Sequence, residues 1–211
     1  MPKIKDFYGR DYEVNSDVLI PRPETEMAVD ATLNLVGKSY LPGVKPSKPK
    51  LPKDLTIVDV GTGSGCIAIT LKLEIPKATV VATDISEKAL TVAKKNAKKL
   101  DAGIELVESD LLNEVKIEPD LVVANLPYVD RNWSWLDKEA LSTEPELALY
   151  ADERGLKLIK KLLGQVAERA IPYLVLEADP CQHDEIVAYA ETKKYRLLET
   201  RGFILVFYLP E

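Results

Sequence analysis

Residues 125–128 read NLPY and follow a short apolar run, so a carboxamide, a main-chain carbonyl and an aromatic ring fall within four positions. The side-chain oxygen of Asn125 and the carbonyl of Leu126 can each accept a hydrogen bond from a planar NH₂ group, which the ring of Tyr128 could cover. Pro127 stiffens the turn between them. Methyl transfer to an amide or aromatic amine needs this kind of hold, because such a nitrogen is a poor nucleophile and must be positioned accurately. For an isolated tetrapeptide the simpler interpretation is structural, with Asn125 bonding backbone groups and Tyr128 in the core.

A glycine-rich turn, GTGSG at 61–65, is the second candidate binding element. Glycines let a ligand approach the backbone closely. The spacing departs from the dinucleotide fingerprint G-x-G-x-x-G, because Cys66 stands where the third glycine would be. Asp59 precedes the turn and places a carboxylate beside the pocket, where it would repel a pyrophosphate and attract the ammonium group of S-adenosylmethionine. S-adenosylmethionine is the predicted ligand, and a nicotinamide dinucleotide is the alternative.

Acidic residues also end the next two apolar runs. Asp84 could accept hydrogen bonds from both ribose hydroxyls, and Asp110 could bind the adenine amino group. A single acid at a strand end often caps the following helix. Three of them beside three glycines favour a ligand site, since open α/β sheets bind ligands at the carboxyl edge of their strands.

Five short β-branched runs must position these residues, at 55–60, 78–84, 104–110, 120–126 and 173–179. Helical periodicity follows most of them, at 66–74, 86–100, 155–170 and 184–194, with Ser86 as an N-cap. Alternation of strands and helices predicts a mostly parallel sheet with helices on both faces. The segment 195–209, two apolar runs around Arg201-Gly202, predicts an antiparallel hairpin. Together these give a seven-stranded α/β sheet of the kind found in methyltransferases.

The length of 211 residues fits a single domain over 1–211. Within it we expect an N-terminal segment and helix at 1–36 that covers substrate and cofactor. A Pro- and Lys-rich connector at 37–54 and a catalytic sheet at 55–211 follow.

The net charge of −6, two cysteines and one histidine narrow the function classes. Proteins that hold nucleic acid usually present a basic face, so direct nucleic-acid binding is not expected. Too few cysteines and histidines are present for a metal cluster. No apolar stretch reaches the roughly 20 residues of a membrane span, which predicts a cytoplasmic protein.

Several longer segments resemble one protein family, both in their residues and in their order along the chain. FYGRDYEVNSDVLIPRPETE (7–26), DVGTGSGCIAI (59–69), NLPY and EPELALYADERGL (144–156) are similar to release-factor glutamine methyltransferases, and LEADPCQHDEIV (176–187) is a weaker match. The resemblance implies a Rossmann-like class I methyltransferase fold, S-adenosylmethionine as methyl donor and S-adenosylhomocysteine as product. The partner it implies is a class-1 peptide release factor, methylated on the glutamine of its Gly-Gly-Gln loop.

The resemblance also implies roles for individual residues. The implied glutamine site is Asn125, Leu126, Pro127 and Tyr128. The implied donor site is Thr25, Asp59, Gly61, Thr62, Gly63, Ser64, Gly65, Asp84, Ile85, Asp110, Leu111 and Asn125. Phe7, Arg22 and Pro23 are expected at the substrate entrance, although Arg22 could equally be a surface arginine.

Two departures from the family stand out. Leucine replaces the usual proline at position 126, which frees φ and adds an N–H group. Family members usually carry a helical domain before the segment that starts at Phe7, and this sequence starts six residues earlier. A chain without that domain is therefore expected.

Two other functions stay open at this point. NLPY also resembles the motif of rRNA adenine dimethyltransferases, whose target is a flipped or unpaired base. A donor-binding subunit without activity, completed by a partner, is the third possibility.

Overall fold

The computed structural model describes residues 3–37, 51–52, 54–136, 142 and 144–210. An N-terminal hairpin of β1 (Lys3–Phe7) and β2 (Arg10–Val14) precedes a 3-10 turn at Pro23–Thr25 and helix α1 (Glu26–Leu35). The central part then runs β3 (Thr56–Val60), α2 (Cys66–Glu74), β4 (Thr79–Asp84), α3 (Glu87–Lys99), β5 (Glu105–Glu108) and β6 (Leu121–Ala124). It is followed by α4 (Glu146–Leu149), α5 (Lys157–Glu168), β7 (Tyr173–Glu177), a 3-10 turn at Pro180–Gln182, α6 (His183–Thr192), β8 (Arg196–Arg201) and β9 (Ile204–Tyr208).

Seven of these strands form one sheet in the order β5-β4-β3-β6-β7-β9-β8. The first five are parallel to one another, and β9 is antiparallel to both of its neighbours. The mostly parallel sheet and its C-terminal hairpin are thus confirmed. Val60 of β3 and Leu176 of β7 both lie opposite Ala124 of β6. The carboxyl ends of these three central strands therefore meet at one place on the edge of the sheet.

Alternation of side chains along the strands divides the core into two apolar layers. Leu121 and Val123 of β6 belong to the cluster that includes α1 and α2, whereas Val122 and Ala124 belong to the cluster that includes α5 and α6. Helices on both faces follow from this division. Ser86 caps α3 as predicted, since its side chain accepts a hydrogen bond from the N–H of Ala89 at 3.2 Å.

The β1–β2 hairpin was not predicted. Its strands are rich in charged residues and lack a continuous apolar run, and Tyr8 and Gly9 turn the chain with φ of 55° and 69°. Tyr12 is fully buried and its hydroxyl lies 2.8 Å from Thr70 Oγ1 of α2, so the hairpin is fixed to the sheet domain by tertiary contacts.

Most of the predicted connector at 37–54 lies outside the described residues, which include only 37, 51–52 and 54 of it. Among the helices that are described, none is long and apolar enough to span a bilayer.

Candidate active site at the carboxyl edge of the sheet

A cavity of about 320 Å³ opens at the carboxyl edge of the parallel strands. Its wall runs from the turn after β3, past the ends of β4 and β5, to the loop after β6. Thirteen of the predicted site residues line it: Arg22, Thr25, Gly61, Thr62, Gly63, Ser64, Asp84, Ile85, Asp110, Leu111, Asn125, Leu126 and Pro127. Its volume falls in the range of small-molecule sites.

The glycine turn is fixed from the neighbouring strand. The N–H groups of Gly61 and Thr62 both donate to the carbonyl of Thr83 at 2.8 Å. Gly61 has a φ of 75°, and a Cβ there would stand 3.0 Å from Leu126 Cδ2. Gly65 differs from the prediction. It does not line the cavity, and a Cβ there would stand 2.9 Å from Ile69 and 3.1 Å from Ala93, so this glycine allows α2 and α3 to pack.

The carboxylate of Asp59 lies behind the turn, which corrects the expectation that it faces the ligand. Its side chain is fully buried and does not line the cavity. Oδ2 accepts hydrogen bonds from the Thr62 hydroxyl at 2.6 Å and from the Ala68 N–H at 3.1 Å, so Asp59 joins the turn to the first residues of α2. Strand alternation explains the difference, because residue 59 points to the face of the sheet that α2 covers. Burial raises the pKa of Asp59 to about 7, against the opposing effect of these two bonds.

Asp84 ends β4 at the cavity, as predicted, and already supports the turn. Its Oδ2 accepts from the Gly63 N–H and its Oδ1 from the Ser86 N–H, both at 2.9 Å. Burial raises the pKa of this carboxyl. Each carboxylate oxygen can accept more than one hydrogen bond, so hydroxyls could still bind from the cavity side. The neighbouring Ile85 is 56% exposed and adds an apolar surface to the wall.

Asp110 and Leu111 lie on the same wall, after β5. Asp110 Oδ2 is paired with the ammonium group of Lys161 at 2.5 Å, a contact that the sequence did not suggest. Any amino group bound by Asp110 would share the carboxylate with this lysine. Leu111 is buried with a φ of 58°, and its side chain belongs to the apolar cluster on the α5 and α6 face.

The carboxamide of Asn125 is oriented by Thr25, the residue that precedes α1. Its Nδ2 donates to Thr25 Oγ1 at 3.0 Å, across 100 residues of sequence. Thr25 is buried where the 3-10 turn meets α1. Because the NH₂ group is directed at Thr25, the Asn125 oxygen is the part of the amide that remains to accept a hydrogen bond from a ligand.

Of the two residues on either side of Pro127, Leu126 is buried and Tyr128 is partly buried. Leu126 is 3% exposed and packs against the glycine turn, which links the NLPY loop to the predicted donor site. Tyr128 does not line the cavity, contrary to the expectation that its ring covers the planar group. Its ring packs against the apolar cluster of α5 and α6, and its hydroxyl donates to Glu177 Oε1 at 3.3 Å.

Glu177 is the main residue that sequence reasoning missed. It ends β7 beside Asn125, is 1% exposed and lies with Thr25, Tyr128 and Asn125 around its carboxyl group. Burial raises its pKa to about 7, and these three polar side chains oppose the rise. The signal was present, because β7 ends in an acid as β4 does.

The predicted substrate entrance is only partly at the cavity. Arg22 lines it and is ion-paired with Glu144, whose other carboxylate oxygen accepts from the Ile20 N–H at 3.0 Å. Phe7 is buried and contacts Tyr12 edge to face at 6.0 Å, so it is a core residue. Pro23 does not line the cavity either and starts the 3-10 turn, where its fixed φ is favourable.

The part of the chain that the structure describes contains no candidate set of metal ligands. Among those residues, no three His, Cys, Asp or Glu side chains are grouped so that they could hold an ion.

Comparison with known proteins agrees with this geometry. The family model of the methyltransferase small domain matches residues 48–137. The release factor glutamine methyltransferase of Enterococcus faecalis is 43% identical over 162 residues, which cover 76% of this chain and 53% of that protein. The corresponding protein of Koribacter versatilis is 41% identical over 175 residues, covering 80% and 56%. The resemblance expected from the motifs is confirmed, and the chain spans about half the length of these relatives.

A solved structure of another methyltransferase has a similar fold. The Thermus thermophilus 16S rRNA N2 G1207 methyltransferase, in complex with AdoMet and guanosine, superposes with a TM-score of 0.67 at 15% identity. It covers 100% of this chain, which in turn covers 50% of it. The chain has the class I S-adenosylmethionine-dependent methyltransferase fold.

Proposed function

Because the chain has the class I methyltransferase fold and is related to release factor glutamine methyltransferases over three quarters of its length, we propose that it methylates a glutamine side-chain amide. The methyl donor is S-adenosylmethionine, and the substrate is the glutamine of the Gly-Gly-Gln loop in a class-1 peptide release factor. Such a substrate belongs to the cytoplasm. The orientation of Asn125 supports this proposal most directly, since its oxygen is the free acceptor in the loop after β6.

The cavity fits the donor in several respects. Its wall carries exposed glycine backbone, the Asp84 carboxylate and the apolar surface of Ile85, which suit a ribose and a flat ring in succession. When bound there, S-adenosylmethionine supplies an electrophilic methyl group and leaves as S-adenosylhomocysteine.

The chain's own residues contribute position rather than acid–base chemistry. The lone pair of an amide nitrogen is delocalised into the carbonyl π system, so the nitrogen is a poor nucleophile. Asn125 Oδ1 and the Leu126 carbonyl would each accept one N–H of the substrate amide, so that the nitrogen is held while it becomes pyramidal. Fixing the nitrogen removes the entropic cost of finding the reactive geometry, which is the largest contribution available without a general base. When the N–CH₃ bond forms and the S–CH₃ bond breaks, the nitrogen carries a positive charge and loses one proton to water, which leaves a neutral N-methyl amide.

A labelling assay tests the proposal. The chain is incubated with methyl-labelled S-adenosylmethionine and a class-1 release factor, in parallel with the same factor carrying glutamate in place of the loop glutamine. We expect label in the first and none in the second. Equal labelling of both, or labelling of neither, would refute the substrate assignment.

The two other candidate functions are separated by additional arms of the same assay. Label entering rRNA rather than the release factor would favour an adenine methyltransferase. The NLPY motif resembles the motif of that class, whereas the net charge of −6 disfavours binding to RNA. Donor binding measured by calorimetry, with turnover only after a partner is added, would indicate a subunit of a larger enzyme.

A further inference from the structure

The buried carboxyl group of Glu177 has no part in the reaction described so far. The residue is 1% exposed, and Oε2 has no hydrogen-bond partner in the described part of the chain. A buried carboxylate with an unsatisfied oxygen is costly, and a neutral side chain of the same shape would stabilise the fold better. Costly groups of this kind concentrate at functional sites.

The position of Glu177 is set by the sheet. Leu176 lies opposite Ala124 in the parallel pairing of β7 with β6, so the next residues, Glu177 and Asn125, emerge side by side. Strand alternation sends both side chains to the face covered by α1, where Thr25 lies. The carboxyl group also receives the Tyr128 hydroxyl from the other end of the NLPY loop.

Rotating the Asn125 carboxamide by about 180° exchanges its oxygen and nitrogen with almost no change of shape. The neighbouring groups must therefore select one of the two orientations. Asn125 Nδ2 donates to Thr25 Oγ1, and the Thr25 hydroxyl and the Asn125 amide both lie close enough to Glu177 to lower its pKa. Above its pKa of about 7 Glu177 is ionised, and an ionised carboxylate accepts hydrogen bonds but donates none. It therefore attracts the NH₂ end of the amide and repels the oxygen.

We propose that Glu177 is a positioning residue: through Thr25 it turns the NH₂ group of Asn125 inward, so that the Asn125 oxygen faces the substrate amide. Its bond to Tyr128 holds the other end of the same loop. This inference rests on the proposed glutamine methylation for its catalytic consequence. The orientation of Asn125 itself is independent of the substrate and can be measured without it.

Glu177→Gln, assayed at a pH above the Glu177 pKa of about 7, is the informative change, because it keeps the size of the side chain and removes its charge. The new NH₂ group would compete with Asn125 for Thr25 Oγ1, and the oxygen of Asn125 would no longer be repelled. We expect kcat for release factor methylation to fall by about tenfold to a hundredfold, the order of magnitude for a small misplacement of a reacting group. KM and the donor Kd should stay within about twofold, and the unfolding temperature should be equal or higher.

Thr25→Val and the double variant that combines it with Glu177→Gln complete the test. Since both residues act on one amide, the double variant should lose no more kcat than the worse single variant. Glu191→Gln, an exposed residue of α6, is the matched control and should change nothing. Three outcomes would overturn the inference. The first is an unchanged kcat in folded Glu177→Gln, and the second is a loss of activity no larger than the unfolded fraction of that variant. The third is a double variant whose fold-loss in kcat equals the product of the two single losses.

Nuclear magnetic resonance of the Asn125 side chain separates this inference from the proposed function. The Nδ2–H₂ signals are assigned by their disappearance in Asn125→Ala, and no substrate is present. In the parent protein we expect slow hydrogen exchange that becomes markedly faster in Glu177→Gln. Unchanged exchange and chemical shifts would refute the role of Glu177 even if methylation is observed. A parent protein that labels no release factor would refute only the proposed substrate.

Discussion

Gly155 supports the back of the NLPY loop at a point where no side chain fits. Its φ is +84°, and a Cβ would stand 1.9 Å from the carbonyl oxygen of Tyr128 and 2.6 Å from Gln182 Nε2. The first neighbour is a backbone atom, so no rotamer change can relieve the overlap. In Gly155→Ala the loop would have to shift by about 1 Å or more before ordinary van der Waals contact is restored.

The expected loss of stability has three parts. Alanine in the left-handed region costs about 1–2 kcal/mol. Overpacking adds about 1–3 kcal/mol. The hydrogen bond from Gln182 Nε2 to the Tyr128 carbonyl, 2.8 Å long, is lost or distorted for about another 1 kcal/mol. We expect Gly155→Ala to reduce the free energy of unfolding by about 3–6 kcal/mol, and to lower kcat by about a hundredfold in the fraction that folds.

Denaturant unfolding and the methylation assay measure the two effects. Gly164→Ala is the matched control, because Gly164 lies inside α5 with nothing within 4 Å of its would-be Cβ. That variant should gain up to about 1 kcal/mol from helix propensity and keep its turnover. If Gly155→Ala unfolded at the same denaturant concentration as the parent protein and kept full turnover, the assigned support of the loop would be wrong.

Three further changes test other parts of the site. Asn125→Ala should lower kcat by about a hundredfold with donor Kd nearly unchanged in calorimetry, since it removes a substrate acceptor; a large loss of donor affinity would contradict the assigned role. Leu126→Ala should cost about 2–4 kcal/mol in urea unfolding, because it empties the space above Gly61, whereas Leu126→Met should cost less than about 1.5 kcal/mol. Asp59 has a folded pKa of about 7 and an unfolded value of about 4, so the folded state holds an extra proton between these values. Its contribution to unfolding free energy should therefore decline by up to about 4 kcal/mol as pH rises through this window, and Asp59→Asn should flatten the slope.

The sheet and its glycine turn could be predicted from the sequence because their determinants are local. Apolar runs such as residues 55–60 and the helical periodicity after them depend on near neighbours, and right-handed parallel connections then bring the strand ends to one edge. That rule also placed Asp84, Asp110 and Asn125 together, as the cavity lining shows. Ser86 could be assigned as a helix cap for the same reason, since the bond spans only three residues.

Which way each side chain points could not be predicted, since it depends on the face of the sheet and on partners far along the chain. Asp59 supports the turn from behind, and Phe7 is a core residue of an unpredicted hairpin. The bond from Asn125 to Thr25 joins residues 100 apart, and Tyr128 meets Glu177 across 49. The sequence by itself thus determined the fold and the groups available for chemistry. Only the tertiary structure decided which end of the Asn125 amide faces the cavity, because that choice rests on a buried carboxylate brought there by a different strand.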